Sequence, residues 1–110
     1  MLKDTITNLE SRIQNSGVLG AEQRAELLKL VGQLKTEISS LSETHQEQAE
    51  SIASFAEISA QQATREARNP KLLEHSIGGL ESSVRELETS HPRLVAVVNR
   101  IASMLANMGI

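Results

Sequence analysis

The strongest constraint on the fold is a regular spacing of apolar residues in the first half of the chain. The apolar positions are separated by alternating steps of four and three, at Leu27, Val31, Leu34, Ile38 and Leu41. The count continues through the polar His45 and Gln48 to Ile52 and Phe55. Because such steps keep side chains on one stripe of an α-helix, they predict one long helix over about residues 21–68 that packs lengthwise on others. This helix would be roughly 70 Å long.

Three further helices are predicted over about residues 2–15, 70–90 and 92–108. Gly17 is expected to end the first helix in a left-handed cap conformation. Pro70 and Pro92 suit the first turns of the last two helices. Gly78-Gly79 interrupts the third apolar stripe, so that helix either kinks there or begins near Gly79. Gly109 and Ile110 are expected to cap the last helix, with Ile110 folding back onto Leu105.

Small residues dominate the second half of the predicted long helix. Alanines recur at steps of four and three, beside the Ile52 and Phe55 stripe, at Ala49, Ala53, Ala56, Ala60, Ala63 and Ala67. Small side chains let helix axes approach closely, so this half is expected to contact more than one neighbour. Alanine is also the best helix former, which is the alternative explanation.

The composition predicts an all-α fold, an elongated antiparallel helical bundle built on the long coiled-coil-like helix. A chain of 110 residues suits one domain, and its 39% of hydrophobic residues include a single aromatic, Phe55. Thin helical layers would leave apolar stripes exposed, so a second copy is expected to cover them. The predicted self-association seam comprises Leu34, Ile38, Leu41, Ile52, Phe55, Leu94, Val98, Ile101 and Leu105.

Charge and residue usage disfavour several classes of partner. The formal charge is -3, and no Lys or Arg lies between Lys35 and Arg65, a stretch that carries five glutamates. Such an acidic segment repels phosphates, which disfavours nucleic acid. The chain has no cysteine, and no segment suits a signal peptide or a membrane span. A cytoplasmic location is therefore expected.

The histidines are the candidate chemical groups. Glu88 and His91 have the Glu-x-x-His spacing of di-iron bundles, but those sites need a second such pair, which the sequence lacks. His45 is expected to set helix register at a polar seam position, with a pH-sensitive interface as the alternative. His75, beside Glu74, is expected to be exposed and inert. No catalytic residues, cofactor or metal site are predicted.

The ends of the chain carry a family resemblance. His91-Pro92-Arg93-Leu94, with the later Asn107-Met108-Gly109-Ile110, resembles the closing motif of the bacterial proteins grouped as domain of unknown function 4404. The segment Gln23–Leu28, followed by Leu34 and Ile38, is similar to the first half of that family. The stretch from about His45 to Asn69 looks like an extension of the usual shorter form. The resemblance implies an all-helical bacterial protein and no particular activity.

These observations favour a non-enzymatic helical protein that self-associates and acts as a binding or scaffolding module. The expected partners are a second copy, as a dimer or a tetramer, and an unidentified protein. The alternative is a metal-binding helical bundle that uses Glu88, His91 and either His45 or His75 as ligands.

Overall fold

A computed structural model describes residues 2–108, which form five α-helices and one 3-10 turn. The helices are α1 (Leu2–Gln14), α2 (Ala21–Ser42), α3 (Gln46–Ala63), α4 (Pro70–Val84) and α5 (Pro92–Met108), and the 3-10 turn is Arg85–Leu87. The all-α prediction is confirmed, and α1 and α5 match their predicted bounds to within a residue. The predicted cap at Gly109 and Ile110 lies outside the described residues.

The prediction of one helix over residues 21–68 is wrong. The chain turns at Glu43–His45 and starts a new helix at Gln46, with His45 at φ -138° and ψ 62°. The hydroxyl of Thr44 and the backbone N–H groups of Thr44 and His45 all donate to the Leu41 carbonyl, closing α2. The break allows the leucine stripe of α2 and the alanine stripe of α3 to face one core, which a straight rod prevents.

The third helix occupies the centre of the fold. It packs on α1, α2, α4 and α5, as the small side chains led us to expect. Its buried alanines are Ala49, Ala53, Ala56, Ala60 and Ala63, whereas Ala67 lies beyond the helix and is exposed. Helix α5 also lies between neighbours, since it contacts α2, α3 and α4. Its apolar half-circumference had predicted this placement.

The connection between α1 and α2 is held by side chains. No described glycine has a positive φ, so the predicted left-handed cap at Gly17 is wrong. Instead, the guanidinium of Arg24 donates through Nη2 to the Ser16 and Leu19 carbonyls, and the Val18 N–H donates to the Ser16 hydroxyl. These bonds satisfy polar backbone groups of the loop between the two helices, while the Asn15 and Ser16 N–H groups donate to the Ser11 and Ile13 carbonyls at the end of α1.

Helix α4 runs through both glycines, so the suggestion that it begins near Gly79 is wrong. It begins at Pro70 behind Asn69, whose side-chain oxygen accepts from the Lys71 and Leu72 N–H groups at 3.1 and 3.3 Å. The predicted end at residue 90 is too late, because the α-helix stops at Val84 and tightens into the 3-10 turn. That turn buries Leu87.

The folded chain is compact where an elongated bundle was expected. The described part measures 38 × 24 × 22 Å, so a helix of roughly 70 Å cannot fit in it. Its Cα radius of gyration of 12.8 Å is close to the roughly 13 Å of a compact domain of this length. The division of the predicted long helix into α2 and α3 accounts for this difference.

Candidate functional site

The residues of the predicted self-association seam lie mostly inside the protomer. Each of them except Phe55 is buried in the core, with exposed fractions no higher than 2%: Leu34, Ile38, Leu41, Ile52, Leu94, Val98, Ile101 and Leu105. A second copy could reach them only if the protomer opened. Phe55 is half-buried at the surface, so it is the one seam residue that an approaching molecule can touch.

The exposed apolar surface lies on α3 and α4. Among residues 2–108, Ile58 and Leu72 are the exposed large apolar side chains, at 44% and 46%. Ile58 is on α3, one turn after Phe55, and Leu72 is on the neighbouring α4. We use the name α3–α4 face for the outward sides of these two adjacent helices, which carry Phe55, Ile58 and Leu72.

Phe55 is positioned on this face by Gly79. A Cβ atom added at Gly79 would lie 2.7 Å from Cδ1 of the Phe55 ring, closer than real Cβ contacts come, and 3.1 Å from its Cζ. The missing side chain therefore makes room for the ring between α3 and α4. Serines 51, 82 and 83 border the same groove, together with the longer polar side chains of Glu47 and Gln48.

Charges are separated along α3. Glu47, Glu50 and Glu57 lie within the helix, which contains no basic residue. Glu57 lies toward α1, in a polar groove with Asn8 and Ser11. The first basic residue comes just after the helix, where Arg65 donates through Nη1 to Gln62 Oε1 at 3.3 Å. Along the chain, Glu47 and Glu50 thus precede Ile58, and Arg65 follows it beyond the helix end.

Two of the three histidines meet at one end of the bundle. The rings of His45 and His91 lie edge to face, with centroids 5.8 Å apart and an interplanar angle of 80°. The Nδ1 atom of His45 is 2.7 Å from the Thr44 hydroxyl, and that of His91 is 2.9 Å from the Ser90 hydroxyl. His45 is exposed before α3, so it does not occupy a buried seam position.

The remaining ligand candidates are dispersed. His75 is exposed on α4, as predicted, and lies in an open groove against α5. Over the described range 2–108, no group of three or more His, Cys, Asp or Glu side chains could hold a metal ion. The Glu88, His91 spacing therefore does not lead to a multi-carboxylate centre there.

Sequence reasoning missed Ile58 and Leu72. Each lies next to a recognised stripe but off it, Ile58 three residues after Phe55 and Leu72 just before Leu73. The signal available in the sequence was that each is an apolar residue outside a helical stripe, where an exposed side chain is expected. The meeting of His45 with His91 had no such signal, because it depends on where the two turns come together.

No helix in the described chain combines the length and apolarity needed to cross a bilayer.

Neither the curated proteins nor the solved structures include a match to the sequence. A family model described as Domain of unknown function (DUF4404) does match, over residues 2–110. That range includes residues 45–69, which had looked like an extension of the family's form. The chain belongs to this family, Domain of unknown function (DUF4404).

Proposed function

We propose that the protein is a non-enzymatic helical binding module that associates with a second copy through the α3–α4 face. The observation that carries the proposal is the location of its exposed apolar side chains. Ile58 and Leu72 are about half exposed on adjacent helices, and the half-buried Phe55 lies one turn before Ile58 on α3. Exposed apolar side chains grouped on one surface favour protein–protein contact, because association removes them from water.

The burial of the core supports a contact between folded protomers. Leu34, Ile38 and Leu41 are already covered within one chain. Association therefore has to use surface side chains, and the resulting interface is small. Small interfaces are typical of weak or transient complexes, so we expect a dimer that dissociates on dilution.

The test is sedimentation velocity over a wide concentration range. We expect the sedimentation coefficient to rise with concentration for the native chain and to stay at the monomer value for Ile58→Asp. The matched control is Ala96→Asp, which adds the same charge at an exposed position of α5. A native chain that stays monomeric at every concentration, or an Ile58→Asp chain that associates as well as the control, would contradict the proposal.

The contact between His45 and His91 favours a second candidate function, metal binding at the paired turns. If each Nδ1–H donates to the adjacent Thr44 or Ser90 hydroxyl, the Nε2 lone pairs are free to bind a metal such as Zn²⁺. A site with two protein ligands leaves the other positions to water, so its affinity would be modest.

Zinc titration followed by thermal unfolding tests this candidate. Metal binding at the pair predicts a rise in Tm with added Zn²⁺ that is lost in both His45→Ala and His91→Ala. His75→Ala is the matched control and should keep the rise, because His75 is on a different surface. An unchanged Tm in the native chain would eliminate the metal candidate and leave the association proposal intact.

A further inference from the structure

We infer that the second copy binds antiparallel, with its α3 lying along the α3 of the first copy in the opposite direction. The inference rests on the proposed self-association and specifies its geometry around Ile58, the residue that the α3–α4 face shares with the contact line described next. It is carried by a stripe of exposed residues along the outer side of α3, which we call the outer stripe. Its members, all exposed, are Glu47, Ser51, Ser54, Ile58, Gln61 and Arg65.

The outer stripe has the spacing of a helix–helix contact. From Glu47 to Gln61 its steps are four, three, four and three, which place these five side chains along one line of the helix surface. Arg65 follows the helix end, and its bond to Gln62 holds the guanidinium close to the last turn of α3. The line therefore extends from a carboxylate at one end, past Ile58, to a guanidinium at the other.

The order of residues along the stripe is complementary to itself when reversed. A register that places Ile58 against Ser54 of the second copy also places Ser51 against Gln61. The same register places Glu47 of each copy against Arg65 of the other. The small Ser54 side chain leaves room for Ile58, so each copy contributes an apolar residue and the place that receives it.

The charges disfavour the parallel alternative. Parallel helices in register would place Glu47 against Glu47 and Arg65 against Arg65, two like-charge contacts. The antiparallel arrangement instead gives two opposite-charge contacts related by a twofold axis midway between Ser54 and Ile58. A closed pair of this kind uses the same surface on both copies, as twofold dimers do.

Charge reversal tests the geometry by sedimentation. We expect Glu47→Lys and Arg65→Glu each to weaken self-association about tenfold, since each replaces two attractive contacts with two repulsive ones. An equimolar mixture of the two variants should associate as tightly as the native chain, because the reversed charges match in the mixed dimer. Controls are Glu26→Lys and Arg100→Glu, the same charge changes at exposed positions of α2 and α5. They should leave self-association unchanged.

Crosslinking provides a second readout, because the native chain contains no cysteine. With a short bis-maleimide, the antiparallel geometry predicts efficient crosslinking between Ser51→Cys and Gln61→Cys chains in a mixture, and little within Ser51→Cys alone. The reverse result, or a charge-reversed mixture no tighter than its components, would overturn the geometry while association itself still stands. Loss of all association in the native chain would overturn both the geometry and the proposed function. Capture of a different protein on this face in place of a second copy would also overturn the geometry.

Discussion

Gly78 and Gly79 are adjacent in α4 but have different surroundings. An added Cβ atom meets nothing within 4 Å at Gly78, whereas at Gly79 it meets the Phe55 ring. Glycine costs about 1 kcal/mol relative to alanine within a helix, so each position has the same intrinsic reason to avoid it. Only at Gly79 does packing supply a compensating gain.

We therefore predict opposite effects for the two alanine substitutions. Gly78→Ala should raise the free energy of unfolding by about 1 kcal/mol through helix propensity. Gly79→Ala should lower it by about 1 kcal/mol, since overpacking outweighs that gain. Urea unfolding followed by circular dichroism measures both. In a Phe55→Ala background the aromatic ring that an added Cβ atom would meet is absent, so Gly79→Ala should become stabilising. A destabilising effect that persists there would refute the packing explanation.

Ser59 is a second residue whose surroundings make a clear prediction. It is fully buried on α3, and its hydroxyl has no hydrogen-bond partner within the described structure. Because an unpaired buried hydroxyl is costly, Ser59→Ala should stabilise the protein by about 1 kcal/mol in urea unfolding. Ser76→Ala is the control, since that hydroxyl donates to the Leu73 carbonyl at 2.9 Å. A gain at Ser76 equal to that at Ser59 would contradict the argument.

Helix ends show how short-range chemistry fixes the elements of this fold. Asn69 and Pro70 marked the start of α4 in the sequence, and the Asn69 side chain does accept two of its first N–H groups. Local side-chain hydrogen bonds of this kind need no tertiary contact. They are the part of the fold that sequence reasoning locates best.

Removing the cap should destabilise the protein measurably. Asn69→Ala should lower the free energy of unfolding by about 1 kcal/mol, because two N–H groups lose their acceptor. Asn69→Asp, which keeps an acceptor and suits the helix N-terminus, should be close to the native value. Thermal unfolding of the two variants side by side is the measurement. An equal loss of stability in both variants would show that the side-chain oxygen of Asn69 does not stabilise the helix.

The turn between α2 and α3 shows the limit of periodicity. The steps of four and three continue through His45 and Gln48, yet the helix ends before them. By itself, this polar interruption predicts register control in a continuous helix. It instead marks the place where the chain loses its apolar stripe and can turn at little cost, with Thr44 bonding to the Leu41 carbonyl.

For the protein as a whole, the compact shape gives a prediction for solution scattering. Extrapolated to low concentration, the radius of gyration should be close to that of a compact domain, as the Cα value of 12.8 Å indicates. A continuous helix of roughly 70 Å would by itself give roughly 20 Å. A radius of gyration near that of the continuous helix, measured at low concentration, would show that α2 and α3 form one rod in solution. A rise with concentration is expected from self-association.

Patterns within a few turns of chain were enough to identify the helical fold class, the apolar faces of α1, α4 and α5, and the starts at Pro70 and Pro92. Each depends on contacts between neighbours in sequence, which helix geometry fixes. The bend at Glu43–His45 and the meeting of His45 with His91 depend on how distant segments pack. So does the surface left to Phe55, Ile58 and Leu72. The local pattern permits several arrangements of these helices equally well. The burial of one shared core selects among them, because apolar surface is removed from water only when the helices pack together.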